Sequence, residues 1–244
     1  MADVEHITPY GGEAPKERQV ERMFDSIAPA YDFMNRAMTL GIDRLWRAKA
    51  VGLVRAAAPR RILDVATGTA DLAINLARML PEAEVTGIDL SEGMIDIGRE
   101  KVSRAGLAQR VELQVADCLA LPFGDATFDC VTVAYGVRNF ADLEAGYREM
   151  YRVLCPGGML CVIELSTPVN PLVKPLYSFY TRAIIPAVGR LVSKDTRAYT
   201  YLPQSIAAVP QRDDMCALMA RAGFGRTAFR PLTFGVCTIY TATK

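Results

Sequence analysis

Two carboxylates and a turn of small residues occupy one short stretch of the 244-residue chain. Asp64 lies in an apolar run, Gly68 follows in the turn, and Asp89 comes at the end of the next apolar run. A carboxylate at the tip of a strand can accept hydrogen bonds from both hydroxyls of a ribose. The spacing therefore predicts a βαβ unit that binds a nucleoside.

The composition of the turn indicates which nucleoside is bound. A dinucleotide site needs G-x-G-x-x-G so that backbone amides can approach a pyrophosphate, and this turn contains only Gly68. Asp64, Thr67 and Thr69 instead suit the ammonium, carboxylate and hydroxyl groups of S-adenosylmethionine. A methyltransferase is the favoured interpretation, while a degenerate nicotinamide-type domain or a purely structural βαβ unit is left open.

The elements that position these residues alternate along the chain. Apolar runs predict strands at 61–65, 84–88, 111–115, 128–134, 159–165, 224–230 and 236–243. Helical patterns occupy 71–80, 143–154, 213–222 and a stretch that begins at Ser91. Because the segment between the last two strands is too short for a crossover, these strands form an antiparallel edge. The pattern predicts a doubly wound α/β sheet.

Two regions flank or interrupt this sheet. Residues 1–58 are interpreted as an arm and a helical cap, with apolar residues at helical spacing from 31 to 54. Residues 59–244 form the main domain, with an insertion at about 168–205. This insertion mixes aromatic and basic residues, among them Lys174, Arg182, Arg190, Lys194 and Arg197. It is interpreted as a lid over the acceptor, with an ordinary amphipathic helix or a dimer face as the alternatives.

Composition limits the classes of partner. A net charge of +1 argues against nucleic acid as a partner. The six cysteines contain no C-x-x-C and His6 is the single histidine, so no metal site is expected. Unpaired buried thiols suit a cytoplasmic location, and neither a signal core nor a membrane-spanning run is found.

Longer motifs make a family recognisable. Residues 23–47 (MFDSIAPAYDFMNRAMTLGIDRLWR) and 152–166 (RVLCPGGMLCVIELS) resemble the two signatures of the ubiquinone/menaquinone biosynthesis C-methyltransferases, and 116–123, 134–140 and 199–206 extend the likeness. The resemblance implies a class I, Rossmann-like S-adenosylmethionine-dependent methyltransferase, with a mostly parallel seven-stranded sheet. Four positions depart from the pattern, most notably Asp43, where a histidine is usual; the others are Thr39, Ala134 and Cys155.

The resemblance also implies site residues. The positions that match the family's cofactor ligands are Thr69, Asp89, Asp117 and Cys118. Asp64 and the backbone of Gly68 are expected to hold the methionine end of the cofactor. Arg138 and Asn139 follow a predicted strand end, and Asp32 on the cap approaches the same place, so these three are the candidate catalytic residues. We expect alanine at Arg138 or Asp32 to lower turnover. The candidate substrate-binding residues are Tyr31, Tyr135, Tyr177 and Tyr201.

The implied substrate is a demethylated prenyl quinol, with demethylmenaquinol favoured over the benzoquinol of ubiquinone biosynthesis. Three alternatives stay open: another small phenol or amine as acceptor, a catalytically silent quinone-binding scaffold, and, less favoured, an RNA methyltransferase. Because prenyl quinols reside in the bilayer, the basic and aromatic insertion also predicts transient peripheral contact with a membrane surface. The sequence leaves a homodimer open.

Overall fold

The computed structural model describes residues 2–185 and 196–244. Seven strands of the described chain form one sheet. They are β1 (Arg61–Val65), β2 (Glu84–Asp89), β3 (Val111–Val115), β4 (Phe128–Ala134), β5 (Leu154–Leu165), β6 (Gly225–Leu232) and β7 (Cys237–Thr243). Their order is β3-β2-β1-β4-β5-β7-β6. This confirms the predicted seven-stranded α/β sheet.

Strand direction follows the prediction as well. Strands β1 to β5 run parallel to one another, whereas β7 pairs antiparallel with both β5 and β6. The centre of the sheet joins β1 to β4, with Ile62 opposite Cys130 and Val65 opposite Val133. Strand order reverses at this pair, so the crevice outside the carboxyl ends of β1 and β4 is where such a sheet binds ligands.

Helices cover both faces of the sheet. They are α1 (Lys16–Ile27), α2 (Tyr31–Thr39), α3 (Asp43–Ala56), α4 (Asp71–Met79), α5 (Glu92–Arg104), α6 (Leu143–Val153), α7 (Val173–Phe179), α8 (Thr196–Ala208) and α9 (Asp213–Arg221). One face packs against α3, α4 and α5 through residues such as Trp46 and Leu76. The other packs against α6 and α9 through Tyr147, Met150 and Met215. The two apolar layers bury the parallel strands on both sides.

A third apolar cluster builds the cap. It joins Met23 of α1 and Met34 of α2 to Tyr199 and Tyr201 of α8, and all four side chains are buried. Helix α1 is fixed further by Asp25, whose carboxylate accepts hydrogen bonds from the Ser91 hydroxyl (2.6 Å) and the Gly93 amide (3.2 Å) at the start of α5. The cap and α8 therefore form one wall above the carboxyl ends of the strands.

The structure divides the helical pattern of the cap, and one predicted strand boundary is wrong. The helical pattern at 31–54 is two helices, because Leu40 (φ 51°) and Gly41 (φ 76°) adopt left-handed backbone conformations that end α2. Helix α6 stops at Val153 and β5 begins at once at Leu154, five residues before the predicted start, because Leu154 already pairs with the beginning of β4. The remaining strand boundaries shift by two residues or fewer.

The predicted insertion contains α7, a π-helical segment (Tyr180–Ile184) and α8. The predicted lid residues Arg190, Leu191, Val192 and Lys194 lie outside the described residues. Across the ranges 2–185 and 196–244, every helix is too short or too polar to cross a bilayer.

Candidate active site

A cleft opens at the carboxyl ends of β1, β2 and β4. Its empty volume, including the open mouth, is about 720 Å³. Four of the six residues predicted to bind a cofactor line it: Gly68, Asp89, Asp117 and Cys118. Helix α1 forms the opposite wall, so the cap covers the cleft that the strands create.

Asp89 is the most firmly held carboxylate of this cleft. One oxygen accepts a hydrogen bond from the Gly68 amide (2.8 Å) and the other accepts from the Ser91 amide (3.0 Å). Burial raises the pKa of Asp89, and the backbone donors oppose that rise in part. A carboxylate has about four acceptor sites, so acceptor capacity remains for the hydroxyls of a ribose.

The turn after β1 brings backbone atoms to the surface of the cleft. Gly68 has a left-handed φ of 55°, as do the neighbouring Ala66 (52°) and Ala70 (64°). At the end of β4, a Cβ on Gly136 would lie 2.6 Å from the Ala66 Cβ. Only a glycine permits this approach of the two strand ends, so the cleft floor consists of backbone and small side chains.

The charged residues that line the cleft are all acidic. Glu17 and Glu21 of α1 face it together with Asp89 and Asp117, whereas the described lining contains no lysine, arginine or histidine. Such a lining repels a pyrophosphate and attracts a ligand that carries a sulfonium and an ammonium. The residues present therefore fit S-adenosylmethionine.

Asp64 lies beneath the cleft and does not line it. Its two oxygens accept hydrogen bonds from the hydroxyls of Thr67 (2.7 Å) and Thr132 (2.6 Å), which ties the turn to β4. Burial raises the pKa of Asp64 to about 6. The structure gives this carboxylate a positioning role, and its predicted contact with the cofactor stays a prediction.

Thr69 and Asp32 belong to a separate polar network. The Thr69 hydroxyl donates to Asp32 (2.6 Å), and the Lys101 ammonium contacts Asp32 (2.6 Å), Asp71 (2.5 Å) and the Thr69 oxygen (2.9 Å). Neither Thr69 nor Asp32 lines the cleft. Their predicted roles in cofactor binding and proton transfer stay predictions, and the network joins α2 to α4 and α5.

A second, apolar cavity adjoins the cleft. Its empty volume, including the open mouth, is about 1510 Å³, and α2, α3, α7 and α8 contribute to its walls. Tyr31 and Tyr135 line both spaces, so these two side chains stand at the boundary between them. Tyr177 also lines the apolar cavity, and burial raises its pKa to about 12. Three of the four predicted substrate-binding tyrosines therefore meet there.

The fourth, Tyr201, lies beside Arg138 in a small neighbouring pocket. Its hydroxyl donates to the Asn139 side-chain oxygen (3.2 Å), and burial raises its pKa. Asn139 lines both this pocket and the cleft. A chain of polar contacts thus runs from α8 to the edge of the cleft.

Arg138 is buried at the wall of the apolar cavity. Its guanidinium donates to Glu164 (2.8 Å) and to the Tyr135 carbonyl, and the Arg138 amide also contacts Glu164 (3.3 Å). Glu164 is itself 1% exposed. The pair fixes a positive group at the wall of the apolar cavity, and an ion pair buried in this way is costly to break.

Sequence reasoning missed Glu164, Lys101 and Arg47. Glu164 carries a visible signal, because it is a charged residue within an otherwise apolar strand. Lys101 and Arg47 carry none, since both stand in helices where charged residues are common. Their roles depend on partners from other helices: Lys101 meets Asp32 and Asp71, and Arg47 pairs with Asp43 and with Asp71 (3.3 Å).

The comparisons with known proteins agree with this geometry. The model of the ubiE/COQ5 methyltransferase family matches residues 13–244. Demethylmenaquinone methyltransferase of Bacteroides fragilis is 49% identical over 240 residues, 98% of each chain. Ubiquinone/menaquinone biosynthesis C-methyltransferase UbiE of Geobacter sulfurreducens is 46% identical over 230 residues, 94% of this chain and 90% of that one.

Two solved structures share the fold. The S-adenosylmethionine-dependent methyltransferase SibL superposes with a TM-score of 0.64 at 21% identity, over 84% of this chain and 56% of that one. A methyltransferase from Thermotoga maritima that depends on the same cofactor superposes with a TM-score of 0.61 at 18% identity, over 89% of this chain and 98% of that one. At such identities the likeness concerns the fold alone.

Proposed function

The chain belongs to the ubiE/COQ5 methyltransferase family, and on that premise we propose that it methylates a ring carbon of a demethylated prenyl quinol. The favoured acceptor is demethylmenaquinol, which yields menaquinol. It is the acceptor implied by the names of relatives that are 49% identical over nearly the whole chain. The benzoquinol of ubiquinone biosynthesis is the second candidate, since relatives at 46% carry both pathway names.

One observation carries the proposal: the acidic cleft and the apolar cavity meet at Tyr31 and Tyr135. A methyl donor is polar and cationic, whereas a prenyl quinol is almost entirely apolar. Each ligand therefore has a space that suits its chemistry, and the two spaces touch. Positioning of this kind supplies much of the rate of a displacement that needs no protein nucleophile.

S-adenosylmethionine supplies a methyl group activated by the positive charge on its sulfur. In the proposed complex Asp89 accepts from the ribose hydroxyls, and Asp117 with the Cys118 amide contacts the adenine. The turn around Gly68 holds the methionine end. The carboxylates of the cleft keep the positive ligand in place.

Arg138 is the proposed stabiliser of charge on the acceptor. A ring carbon becomes nucleophilic when the adjacent phenol loses its proton, and a fixed guanidinium favours the resulting phenolate. Guanidinium is too weak an acid to serve as a base, so a water held by Asn139 carries the phenolic proton to solvent. After methyl transfer, the hydrogen on the methylated ring carbon leaves as a proton to water as well, which restores the aromatic quinol. Both Asp32 oxygens are engaged, one by Lys101 and the other by Thr69. We therefore assign Asp32 the role of holding α2 in place rather than that of a base.

Contact with a membrane surface is the finer part of the proposal. Five exposed apolar side chains, here named the apolar rim, line the apolar cavity or adjoin its lining: Leu40, Leu172, Leu176, Phe179 and Phe234. Exposed apolar groups gathered at the mouth of an apolar cavity mark an interaction site. A rim of this kind lets a prenyl quinol pass from the bilayer into the cavity.

The test is methyl transfer from labelled S-adenosylmethionine to a short-chain demethylmenaquinol and to the corresponding demethylated benzoquinol, under reducing conditions, with the product identified by mass. We expect methylation of the naphthoquinol, and a loss of about a hundredfold in kcat for Arg138→Lys, which keeps the charge but moves the donors. Calorimetric affinity for the cofactor should stay unchanged in this variant. Cofactor binding without methylation of either ring would refute the proposed acceptor.

A further inference from the structure

The apolar cavity contains polar atoms that no protein group satisfies. Within the described residues, the Tyr135 hydroxyl and the Nε atoms of Arg47 and Arg138 are shielded from solvent and have no hydrogen-bond partner. All three side chains line this one cavity. A buried polar atom without a partner is destabilising, so three in one cavity indicate that a ligand completes them.

Two of these atoms form a group apart from Arg138. The Arg47 guanidinium is anchored through Nη2 by Asp43 and by Asp71 (3.3 Å), and its buried Nε has no partner among the described residues. Arg47 and Tyr135 both line the cavity, and the positive charge of Arg47 opposes the rise that burial causes in the pKa of Tyr135. Arg138 is anchored by a different carboxylate, that of Glu164 (2.8 Å). The cavity therefore has two polar positions.

The backbone fixes the Tyr135 side chain in its place. Tyr135 has a left-handed φ of 60°, which is unfavourable for an aromatic residue. Two hydrogen bonds clamp it: its amide donates to the Ile163 carbonyl (2.7 Å), and its own carbonyl accepts from Arg138. Strain held by its surroundings in this way is typical of functional sites.

We infer that the Tyr135 hydroxyl and the Arg47 Nε together bind the second oxygen of the quinol, the one beside the prenyl chain. This inference rests on the proposed function. A quinol has two oxygens on opposite sides of the ring. In the proposed function, Arg138 stabilises the oxygen next to the carbon that is methylated. Two fixed donors at the other polar position set the ring's orientation, so that the unsubstituted carbon faces the cofactor cleft.

The experiment pairs a change in the enzyme with a change in the acceptor. Tyr135→Phe removes one hydroxyl, and the acceptors are a prenylated naphthalenediol and the prenylated 1-naphthol that lacks the hydroxyl beside the prenyl chain. We expect the wild type to prefer the diol by at least tenfold in kcat/KM and Tyr135→Phe to lose most of this preference. The cofactor's dissociation constant should not change.

Tyr147→Phe is the matched control, because its hydroxyl contacts the Met215 sulfur (3.1 Å) in the core, away from the cavity. It should retain the full preference for the diol. Arg47→Lys, which keeps the positive charge beside Asp43 but lacks Nε, should resemble Tyr135→Phe. If Tyr135→Phe and Arg47→Lys both keep the wild-type preference for the diol over the 1-naphthol, the inference is overturned. If the wild type methylates neither acceptor, the proposed function itself is wrong.

Discussion

At the scale of single residues, Asp64 is a carboxylate that the fold keeps out of water. It is 1% exposed, and its only side-chain partners in the described chain are the neutral hydroxyls of Thr67 and Thr132. Burial therefore dominates, and it raises the pKa from 3.8 to about 6. The folded state holds this proton more tightly than the unfolded chain does.

Linkage gives the sign of the effect on stability. Between about pH 4 and pH 6 the folded protein binds more protons at Asp64 than the unfolded chain, so this group's contribution to stability falls as the pH rises. Asp64→Asn stays neutral at every pH. As the pH rises through this window, we expect its free energy of unfolding to increase by up to about 3 kcal/mol relative to that of the wild type. Urea unfolding of both proteins at pH 4.5 and pH 6.5 measures the difference.

Asp96→Asn provides the control for this experiment. Asp96 is exposed on α5, where it pairs with Arg99 (3.0 Å) at the surface, so this variant makes the same substitution at a carboxylate in contact with solvent. Suppose that the difference in the free energy of unfolding between Asp64→Asn and the wild type changes with pH no more than it does for Asp96→Asn. Asp64 would then have the same proton affinity in the folded and the unfolded states.

At the scale of elements, Lys101 joins three helices. From α5 it contacts Asp32 of α2 and Asp71 of α4, and all three side chains are less than a third exposed. Lys101→Met leaves Asp32 without its paired cation, whereas Asp71 keeps its contact with Arg47 (3.3 Å). We expect a loss of about 1–2 kcal/mol in the free energy of unfolding, and a rise in KM for both substrates because α2 carries Tyr31.

The matched control lies on the same helix. Arg104→Met removes a cation whose ion pair with Glu100 (2.6 Å) lies on the surface. The free energy of unfolding of this variant should lie within about 0.5 kcal/mol of the wild-type value, and both KM values should stay unchanged. Equal losses in Lys101→Met and Arg104→Met would contradict a linking role for Lys101.

These elements also show what the sequence can and cannot predict. The five parallel strands were predictable because each is an apolar run of the right length, and Asp89 because it ends one of them. The partners of Asp32 and Thr69 were not, since their contact with Lys101 joins residues 69 and 32 positions apart in the chain. Periodicity identifies elements, whereas it gives no information about which helices meet.

At the scale of the whole molecule, the apolar cavity arises only when distant parts of the chain assemble. Tyr31 and Trp46 come from the cap, Tyr135 follows the fourth strand, and Leu176 and Leu202 come from the insertion. The sequence resemblance named the tyrosines as candidates. It could not show that two of them separate an acidic cleft from an apolar cavity, because that boundary exists only in the folded protein.

The apolar rim leads to a prediction about the whole protein. Leu172 and Phe234 are 86% and 76% exposed, while Lys174 lies exposed beside Leu172. Transfer of two large apolar side chains from water into lipid contributes about 1.5–3 kcal/mol each, and a nearby cation adds attraction to acidic headgroups. We therefore expect the protein to float with vesicles, and more strongly when they contain acidic lipid.

The double variant Leu172→Ser/Phe234→Ser should bind vesicles at least tenfold more weakly, because it loses most of this apolar transfer. Neither residue lines the apolar cavity, so turnover of a short-chain quinol in solution should stay the same, whereas turnover of a long-chain quinol in vesicles should fall. Val115→Ser, an exposed apolar residue on edge strand β3, serves as the control. If the double variant binds vesicles as the wild type does, the rim is not the membrane contact, and the quinol must reach the cavity by another face.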